Sequence, residues 1–429
     1  MDQIKVIGGQ PLYGIIPISG AKNAALPLMI ASLLTEETLT LENIPRLADV
    51  DQLIRILSNH GVDYSMEGRR KEQQCGYSQT MHFNAGHIAT TRAPYEMVSK
   101  MRASFWVIGA LLARMGEASV SLPGGCAIGT RPVDFILEGL RALGADVQIE
   151  KGYAHAKANK GLHGTAYHFP KVTVGGTHIM LMASCLAKGE THLTNAACEP
   201  EIVNLAECLI AMGAKIKGAG TPNISITGVE RLGGARVKII PDRIEAGTLA
   251  AAVGVAGGNV LLSGANKDHL GLPLTYLEQA GISICEEEGG LRVSRRNEPL
   301  RPLIIETAAY PGFPTDLQAQ FMGLMSIAKG TSRITETIFE NRFMHVQELA
   351  RLGANISLSG QTATIEGVEQ LEGAEVMATD LRASVTLAIA GLGARGETLI
   401  NRIYHLDRGF ERLEEKLSRC GALIERIYA

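Results

Sequence analysis

A cysteine between glycines is the residue of this sequence best suited to chemistry. Cys126 lies in the segment LPGGCAIGTRP (122–132), and Arg131 follows it by five residues. Glycine gives a backbone that can fold over a ligand and open again, and a guanidinium group can bind phosphate or carboxylate through two N–H groups. The segment therefore predicts a reactive thiol beside an anion-binding arginine. The alternative is a structural cysteine, which is usually packed inside a helix or a strand.

Charged residues also occur where predicted helices begin. Lys22 and Asn23 adjoin an apolar helical segment, and the N-terminus of a helix attracts anions. The alternative for Lys22 is a solvated lysine near a chain crossover. Arg382 and Arg408 occupy two further junctions between a loop and a helix, and with Arg131 they indicate a polyanionic ligand.

Asp316, in the segment FPTDLQ, has two possible roles. Its carboxylate could stabilise the N-terminus of the following helix, or it could act as a general base toward a substrate hydroxyl. A base at Asp316, a thiol at Cys126 and cations at Lys22, Arg131 and Arg408 together predict the transfer of a group from an acidic phosphorylated donor to a hydroxyl.

Composition excludes several classes of protein. The chain has 429 residues, which predicts two domains of about 200 residues each. A net charge of −3 favours neither nucleic acid nor a membrane surface as a partner, and no obligatory protein partner is evident. Seven cysteines without a C-x-x-C pair indicate a reducing cytoplasm. The eleven histidines lack ligand spacing, so no metal site is expected.

The start of the chain and its apolar runs also bear on location. The first residues do not have the pattern of a signal peptide. The longest apolar run, near 105–113, is too short to span a bilayer. We therefore expect a cytoplasmic protein.

The elements that position the candidate residues recur six times. Each copy has a helix of small and apolar residues, a short turn, a strand that alternates polar and apolar residues, and an amphipathic helix that ends at a glycine. These glycines are separated by 83, 69, 68, 72 and 68 residues, and they are Gly61, Gly144, Gly213, Gly281, Gly353 and Gly421. A period near 70 residues is too long for an ordinary solenoid. It predicts six compact α/β modules, three in each half of the chain.

Two segments depart from this repeat. The oversized first spacing contains the hydrophilic stretch 67–74, which we interpret as a surface insertion. The segment GLGARG (391–396) matches the dinucleotide fingerprint G-x-G-x-x-G, which requires a strand, a turn and then a helix. The repeat instead places a helix before this turn and a strand after it, so we predict no dinucleotide site there.

Eight segments spread from 18 to 412 resemble the enolpyruvyl transferase family, in particular the members that act on UDP-N-acetylglucosamine. They are SGAKNAALP, MRASFW, SLPGGCAIGTRPVD, PDRIEAGT, FPTDLQAQ, ETIFENRFMHV, MATDLRAS and IYHLDRGFER. The resemblance implies two inside-out α/β barrel domains, each of three repeated modules. It also implies that the N-terminal strand packs with the C-terminal half. The domains would then comprise 22–240 and, discontinuously, 1–21 with 241–429.

The resemblance further implies a reaction, in which the enolpyruvyl group of phosphoenolpyruvate passes to the 3′-hydroxyl of UDP-N-acetylglucosamine and phosphate is released. This would be the first committed step of peptidoglycan synthesis, and it needs no cofactor. Cys126 would protonate the phosphoenolpyruvate methylene, as a thiol with a reference pKa of about 8.5 can at neutral pH. Asp316 would be the base, and Lys22, Arg131 and Arg408 would hold the donor. The other implied substrate contacts are Asn23, Arg102, Trp106, Pro132, Val133, Asp134, Phe135, Thr173, Val174, Gly175, Ile338, Asp380 and Arg382.

Alternatives of other kinds remain open. An enzyme that acts on 3-phosphoshikimate would share the fold and the donor, but the loop of Cys126 and the run 131–135 favour the sugar nucleotide. A non-catalytic paralogue that senses sugar nucleotide should have lost the thiol, the base or the cations, and all of them are present. A thiol-redox protein would need a resolving cysteine close to Cys126 in the sequence, and there is none.

Overall fold

The chain forms two compact units. The computed structural model describes residues 2–67, 78–123, 133–296 and 298–428. The first unit comprises 20–123 and 133–240, the second unit comprises 2–19 and 241–428, and each has its own hydrophobic core. Cys126, Arg131, Pro132 and nearly all of the stretch 67–74 lie outside the described residues.

Strands in the described residues are short, and most have one buried face. In chain order they are β1 (Gln3–Ile7), β2 (Leu12–Pro17), β3 (Leu39–Ile44), β4 (Asp63–Met66), β5 (Gln79–Asn84), β6 (Arg92–Ala93), β7 (Glu117–Ser121), β8 (Asp146–Glu150), β9 (Tyr153–Lys157), β10 (Ala166–His168), β11 (Glu190–Thr194), β12 (Lys215–Lys217), β13 (Asn223–Thr227), β14 (Ala235–Lys238), β15 (Gly258–Ser263), β16 (Ser283–Glu287), β17 (Gly290–Arg295), β18 (Ile304–Glu306), β19 (Thr331–Thr335), β20 (Asn355–Ser359), β21 (Thr362–Glu366), β22 (Leu371–Glu372), β23 (Glu375–Met377), β24 (Ala394–Arg395), β25 (Glu397–Asn401) and β26 (Leu423–Ile427).

Helices alternate with these strands. The α-helices are α1 (Lys22–Ala31), α2 (Ala48–Asn59), α3 (Tyr95–Val98), α4 (Val107–Met115), α5 (Asp134–Ala142), α6 (Val174–Ser184), α7 (Pro200–Ala211), α8 (Arg243–Ala256), α9 (Lys267–Leu270), α10 (Leu272–Ala280), α11 (Gln318–Met325), α12 (His345–Arg351), α13 (Leu381–Gly393) and α14 (Leu413–Ser418). Four short 3₁₀ helices of the described residues cover Ser32–Leu34, Arg102–Trp106, Thr315–Leu317 and Ile403–Arg408.

Within the part of the chain that the structure describes, six four-stranded sheets share one topology. The first unit contains β14-β3-β5-β4, β6-β7-β9-β8 and β10-β11-β13-β12, and the second contains β2-β15-β17-β16, β18-β19-β21-β20 and β23-β25-β1-β26. In every sheet, read in this order, a parallel pair is followed by two antiparallel pairs. This repetition agrees with the six modules predicted from the spacing of the glycines.

The N-terminal strand belongs to the last of these sheets. β1 lies between β25 and β26, where Ile4 faces Ile400 on one side and Arg426 on the other. Its alternating pattern explains the placement, because Ile4 and Val6 are fully buried while the intervening Lys5 is not. The first strand of the chain therefore completes a module whose other strands come from the C-terminal end.

Each unit is built on three helices without a polar face. In the first unit these are α1, α4 and α6, and α4 packs against both of the others. In the second unit they are α8, α11 and α13, which pack on one another. A helix that is apolar all round is stable only when it is buried on all sides, which explains their place in the two cores.

The predicted terminating glycines follow the amphipathic helices α2, α5, α7, α10, α12 and α14 by one to three residues. All six have φ between 87° and 107°, a left-handed conformation that glycine adopts without strain and that commonly ends a helix. The prediction from the sequence is confirmed. The order of elements around 391–396 is also confirmed, because α13 ends at Gly393 and β24 and β25 follow it.

Two helices have distinctive starts. The 3₁₀ helix Arg102–Trp106 continues into α4, and such turns are frequent at helix N-termini. The helix α14 begins at Leu413, because Arg412 is left-handed with a φ of 48°. Among the described residues, none of the helices combines the length and the apolar composition that crossing a membrane would require.

Candidate functional site

In the second unit, the carboxylate of Asp316 lies between two arginines. Asp316 belongs to the 3₁₀ helix Thr315–Leu317 that leads into α11. Its Oδ1 is 2.6 Å from Nη2 of Arg342, and its Oδ2 is 3.0 Å from Nη2 of Arg382. The side chains of the arginines are only 7% and 8% exposed, whereas that of Asp316 is 26% exposed. Both carboxylate oxygens are thus held, while part of the side chain remains exposed.

The two arginines also fix the charge of Asp316. Burial alone would raise the pKa of the Asp316 carboxyl, but the charges and hydrogen bonds of Arg382 and Arg342 outweigh it and hold the pKa well below its usual range. The group is therefore an ionised carboxylate at neutral pH. In this form it can accept a proton and can also bind a hydroxyl through a charge-assisted hydrogen bond.

Asp380 fixes the start of α13, from which Arg382 projects. Its Oδ1 accepts the backbone N–H of Arg382 at 2.7 Å and that of Ala383 at 3.1 Å. This side-chain cap holds the first turn of the helix. The guanidinium of Arg382 also lies over the ring of Phe410, with 5.8 Å between the Cζ atom and the ring centroid. Arg382 is therefore held from its backbone and from its side chain.

Two histidines near these arginines remain neutral. Burial lowers the pKa of His345 to about 4, with Asp380 raising it and Arg342 lowering it further. Burial also lowers the pKa of His405, and the charge of Arg408 adds to the shift. Arg408 is half-buried and ends the 3₁₀ helix Ile403–Arg408. The positive charge in this part of the second unit therefore comes from arginines.

In the first unit, Lys22 is a largely buried, paired lysine. It is the first residue of α1, with Asn23 directly after it, whereas the sequence placed both residues before the helix. Its Nζ is 3.1 Å from Oδ2 of Asp49, and the two side chains are 13% and 7% exposed. The alternative of a solvated lysine is therefore wrong.

Trp106 and Gly175 lie in direct contact. Trp106 ends the 3₁₀ helix Arg102–Trp106, which contacts both α1 and α6. Its ring packs at 5.0 Å, between centroids, against the ring of buried His178. A Cβ atom on Gly175 would lie 2.9 Å from the indole Nε1 of Trp106. Only a residue without a side chain allows this approach at position 175.

The other predicted substrate contacts of this region lie at the start of α6. Thr173 caps the helix, because its hydroxyl accepts the N–H of Gly176 at 3.2 Å. Val174 and Gly175 then form the first turn. Since the 3₁₀ helix of Trp106 packs against α6, the structure brings Trp106, Thr173, Val174 and Gly175 together.

Predicted contacts also occur at the start of α5. Val133 precedes this helix, and Asp134, its first residue, is exposed. The hydroxyl of Tyr167 donates to the carbonyl oxygen of Phe135 at 2.6 Å, which ties the first turn to β10. Cys126, Arg131 and Pro132 are outside the described residues, so their predicted roles remain predictions.

Three residues important to this geometry were not singled out from the sequence. Arg342 and Asp49 hold Asp316 and Lys22, and the fully buried Glu336 accepts the N–H of Ile338 at 2.8 Å. Arg342 stands at a junction between a loop and a helix, the same signal that drew attention to Arg382 and Arg408. In the part of the chain that the structure describes, no three His, Cys, Asp or Glu side chains are grouped to hold a metal ion.

Comparisons with known proteins agree with this architecture. A family model described as EPSP synthase (3-phosphoshikimate 1-carboxyvinyltransferase) matches residues 6–417. Two solved structures share the fold over the whole chain. The enolpyruvyl transferase NikO from Streptomyces tendae has a TM-score of 0.87 at 22% identity and is covered over 99% of its length. EPSP synthase from Acinetobacter baumannii has a TM-score of 0.74 at 19% identity and is covered over 100%.

Curated relatives are much more similar in sequence. UDP-N-acetylglucosamine 1-carboxyvinyltransferases of Brucella ovis and Brucella abortus are each 71% identical over 427 residues, with 100% of both chains covered. The chain therefore belongs to the enolpyruvyl transferase family that includes EPSP synthase and the UDP-N-acetylglucosamine 1-carboxyvinyltransferases.

Proposed function

We propose that the protein transfers the enolpyruvyl group of phosphoenolpyruvate to the 3′-hydroxyl of UDP-N-acetylglucosamine and releases phosphate. The observation that carries this proposal is the 71% identity, over both full lengths, with enzymes named for that sugar nucleotide. In the net reaction a new bond joins the sugar oxygen to C2 of the donor. The bond from C2 to the phosphate oxygen breaks, and the hydroxyl proton is released.

Asp316 is proposed as the base for the sugar hydroxyl. Its support is an ionised carboxylate, partly exposed and held by Arg342 and Arg382. A carboxylate with a depressed pKa does not retain a proton from a free hydroxyl. Proton transfer would therefore accompany formation of the bond between oxygen and carbon, which is the behaviour of a general base.

Cations are proposed to hold the phosphate and carboxylate of the donor. Lys22, Arg131 and Arg408 fill this role, with Arg102, Asp380 and Arg382 as further contacts. Lys22 supports the proposal because it is largely buried beside the N-terminus of α1, where an anion is stabilised.

Cys126 is proposed as the proton donor to the methylene carbon of phosphoenolpyruvate. A cysteine thiol is largely protonated at neutral pH, as a donor must be. Addition of the proton to C3 makes C2 open to attack by the sugar oxygen, and loss of a C3 proton with phosphate then restores the double bond. The thiol can also add across the double bond, its proton to C3 and its sulfur to C2, which gives a covalent adduct with the phosphate still attached.

The sugar nucleotide is proposed to contact residues at helix starts and in nearby loops. Trp106 and Gly175 support this, since their close approach leaves no room for a larger residue at 175. The full proposed set is Asn23, Trp106, Pro132, Val133, Asp134, Phe135, Thr173, Val174, Gly175, Asp316 and Ile338.

The finer fold and the cellular role also belong to the proposal. We infer that each unit is an inside-out α/β barrel, supported by three apolar helices and three sheets of one topology in each unit. The product would enter peptidoglycan synthesis in the cytoplasm, in keeping with the role implied by the resemblance.

An assay of phosphate release tests the reaction. The purified protein should release phosphate from phosphoenolpyruvate when UDP-N-acetylglucosamine is present, without added metal, and should not do so with phosphoenolpyruvate alone. Turnover with shikimate 3-phosphate in place of the sugar nucleotide would reject the proposal in favour of the other acceptor. Tight binding of the sugar nucleotide without phosphate release would favour a non-catalytic sensor.

A further inference from the structure

We propose that Glu336 is a positioning residue that divides its two carboxylate oxygens between Asp316 and the loop that carries Ile338. The inference deepens the proposed function and rests on it, because it concerns the same sugar hydroxyl and the same sugar nucleotide. Glu336 touches neither substrate in this account and acts only through its neighbours.

One oxygen of Glu336 reaches Asp316 through a chain of three hydrogen bonds. The hydroxyl of Thr315 donates to Oε2 of Glu336 at 2.7 Å. The same hydroxyl accepts Nη1 of Arg342 at 2.9 Å, and Nη2 of Arg342 donates to Oδ1 of Asp316 at 2.6 Å. The orientation of the Arg342 guanidinium is therefore fixed from both ends.

The other oxygen holds the loop. Oε1 of Glu336 accepts the hydroxyl of Thr307 at 3.0 Å and the backbone N–H groups of Ile338 and Phe339 at 2.8 and 3.1 Å. The hydroxyl of Thr307 in turn accepts the N–H of Thr337 at 2.8 Å. The backbone N–H groups of three consecutive residues, 337–339, are thus held by Oε1 of Glu336, either directly or through Thr307. We call these contacts the loop arm, and the contacts from Oε2 to Asp316 the base arm.

The topology brings the members of this network together. Thr307 and Glu336 directly follow β18 and β19, which form the parallel pair of one sheet. The carboxyl ends of two parallel strands lie at the same edge, so the two residues face one another. Glu336 is fully buried, and a buried carboxylate is stable only when its oxygens are hydrogen-bonded.

The two arms have different expected consequences. Loss of the bond between Thr315 and Arg342 loosens the group that orients Asp316, which lowers kcat. Loss of the bonds from Thr307 loosens the loop at Ile338, which weakens binding of the sugar nucleotide. The Cζ atom of Arg342 lies 5.3 Å from the centroid of the Phe339 ring, so the loop arm also gives Arg342 a smaller measure of support.

A matched pair of substitutions separates the arms. Thr315→Val and Thr307→Val each replace a hydroxyl by a methyl group of the same shape. We expect Thr315→Val to lower kcat about tenfold with little change in the Kd of UDP-N-acetylglucosamine, because the hydrogen bonds of the hydroxyl with Glu336 and with Arg342 are both lost. Thr307→Val should raise that Kd about tenfold with a smaller effect on kcat. Kd is measured by calorimetry without phosphoenolpyruvate, and kcat by phosphate release.

Two further comparisons control for folding. Thr335→Val removes a hydroxyl that contacts Thr362 on the neighbouring strand, outside the network, and should leave both quantities within about twofold. Thr315→Ser keeps the hydroxyl and should restore kcat to within about threefold of the wild type. If a valine variant fails to fold, Glu336→Gln takes its place. The amide oxygen can still accept the N–H groups of Ile338 and Phe339, so kcat should fall while the Kd of UDP-N-acetylglucosamine stays nearly unchanged.

The results distinguish this inference from the proposed function. Wild-type protein that does not turn over would reject the proposed function. If the wild-type protein is active, the two variants test Glu336 alone. Its role is overturned if Thr315→Val and Thr307→Val change kcat and Kd in the same proportion, or if neither variant changes them.

Discussion

The two units have the same scaffold but carry different charges at the starts of their buried helices. In the first unit, α1 begins at Lys22, whose ammonium group is paired with Asp49. In the second, α11 follows Asp316, whose carboxylate is paired with Arg342 and Arg382. One unit thus presents a cation held by a carboxylate, and the other presents a carboxylate held by two cations.

This difference indicates which charges are present for chemistry rather than for stability. The N-terminus of a helix favours an anion and disfavours a cation. Asp316 gains from its position, whereas Lys22 is placed against the field of α1 and needs Asp49 beside it. We propose that Lys22, which is largely buried where the scaffold alone would prefer a carboxylate, binds an anionic ligand, phosphoenolpyruvate.

A third ionic group shows what a purely structural pair looks like. Nζ of Lys416 is 2.5 Å from Oε1 of Glu245, and the side chains are only 1% and 2% exposed. Ser19 completes this group, with its N–H donating to Glu245 at 2.7 Å and its hydroxyl accepting from Lys416 at 2.7 Å. The side chain of Asp316, in contrast, is 26% exposed.

Removal of the proposed base should have the largest effect. Asp316→Asn keeps the size of the side chain but cannot accept the hydroxyl proton, so we expect kcat to fall about a thousandfold. The amide also loses its charge between two arginines, and binding of the sugar nucleotide should change much less. Phosphate release and calorimetry measure the two quantities. If kcat stays within tenfold of the wild type, Asp316 is not the base.

Replacement of the proposed proton donor should have the next largest effect. Cys126→Ser should lower kcat about a hundredfold, because a hydroxyl is a far weaker acid than a thiol. Cys126→Asp should keep part of the activity, since a carboxylic acid can still donate a proton. An epoxide mimic of phosphoenolpyruvate should alkylate Cys126, and mass spectrometry that finds the label on another cysteine would reject the assignment.

Lys416 tests whether the structural pair is independent of catalysis. Lys416→Met leaves the buried carboxylate of Glu245 without its cation, which should reduce the free energy of unfolding by about 3 kcal/mol. The protein that remains folded should have a kcat within about twofold of the wild type. Urea denaturation and phosphate release measure these quantities. A fall in kcat without a fall in the free energy of unfolding would show that the pair of Lys416 and Glu245 is not purely structural.

Substitution of Gly175 should have the smallest of these effects, and it tests whether Trp106 in the first unit contacts the sugar nucleotide. Gly175→Ala places a methyl group 2.9 Å from the indole nitrogen of Trp106, so the ring must shift. We expect the Kd of UDP-N-acetylglucosamine to rise about tenfold, with kcat at saturation nearly unchanged. Gly213→Ala is the control for general destabilisation, because an added Cβ there meets nothing within 4 Å but strains a backbone with a φ of 107°. Equal changes in Kd for both variants would remove Trp106 from the binding site.

Much of the fold could be predicted from the sequence, because it rests on local rules. The helix-ending glycines and the apolar helices can each be recognised from a few neighbouring residues of the sequence. The contacts around Asp316 cannot, since Arg342 lies 26 residues away and Arg382 is further still. Tertiary packing brings them together, within one module for Arg342 and between two modules for Arg382. The role of Glu336 could not be predicted for the same reason, because its contact with Thr307 forms only when β18 and β19 pair.

The most direct test of the account is the identity of the product formed from phosphoenolpyruvate and UDP-N-acetylglucosamine. Nuclear magnetic resonance of the purified product should show a vinyl ether on the 3′-oxygen of the sugar, formed in an amount equal to the phosphate released. The same mixture with Asp316→Asn should contain almost none of it. An enolpyruvyl group on another oxygen, or phosphate released without any ether, would contradict the proposed reaction.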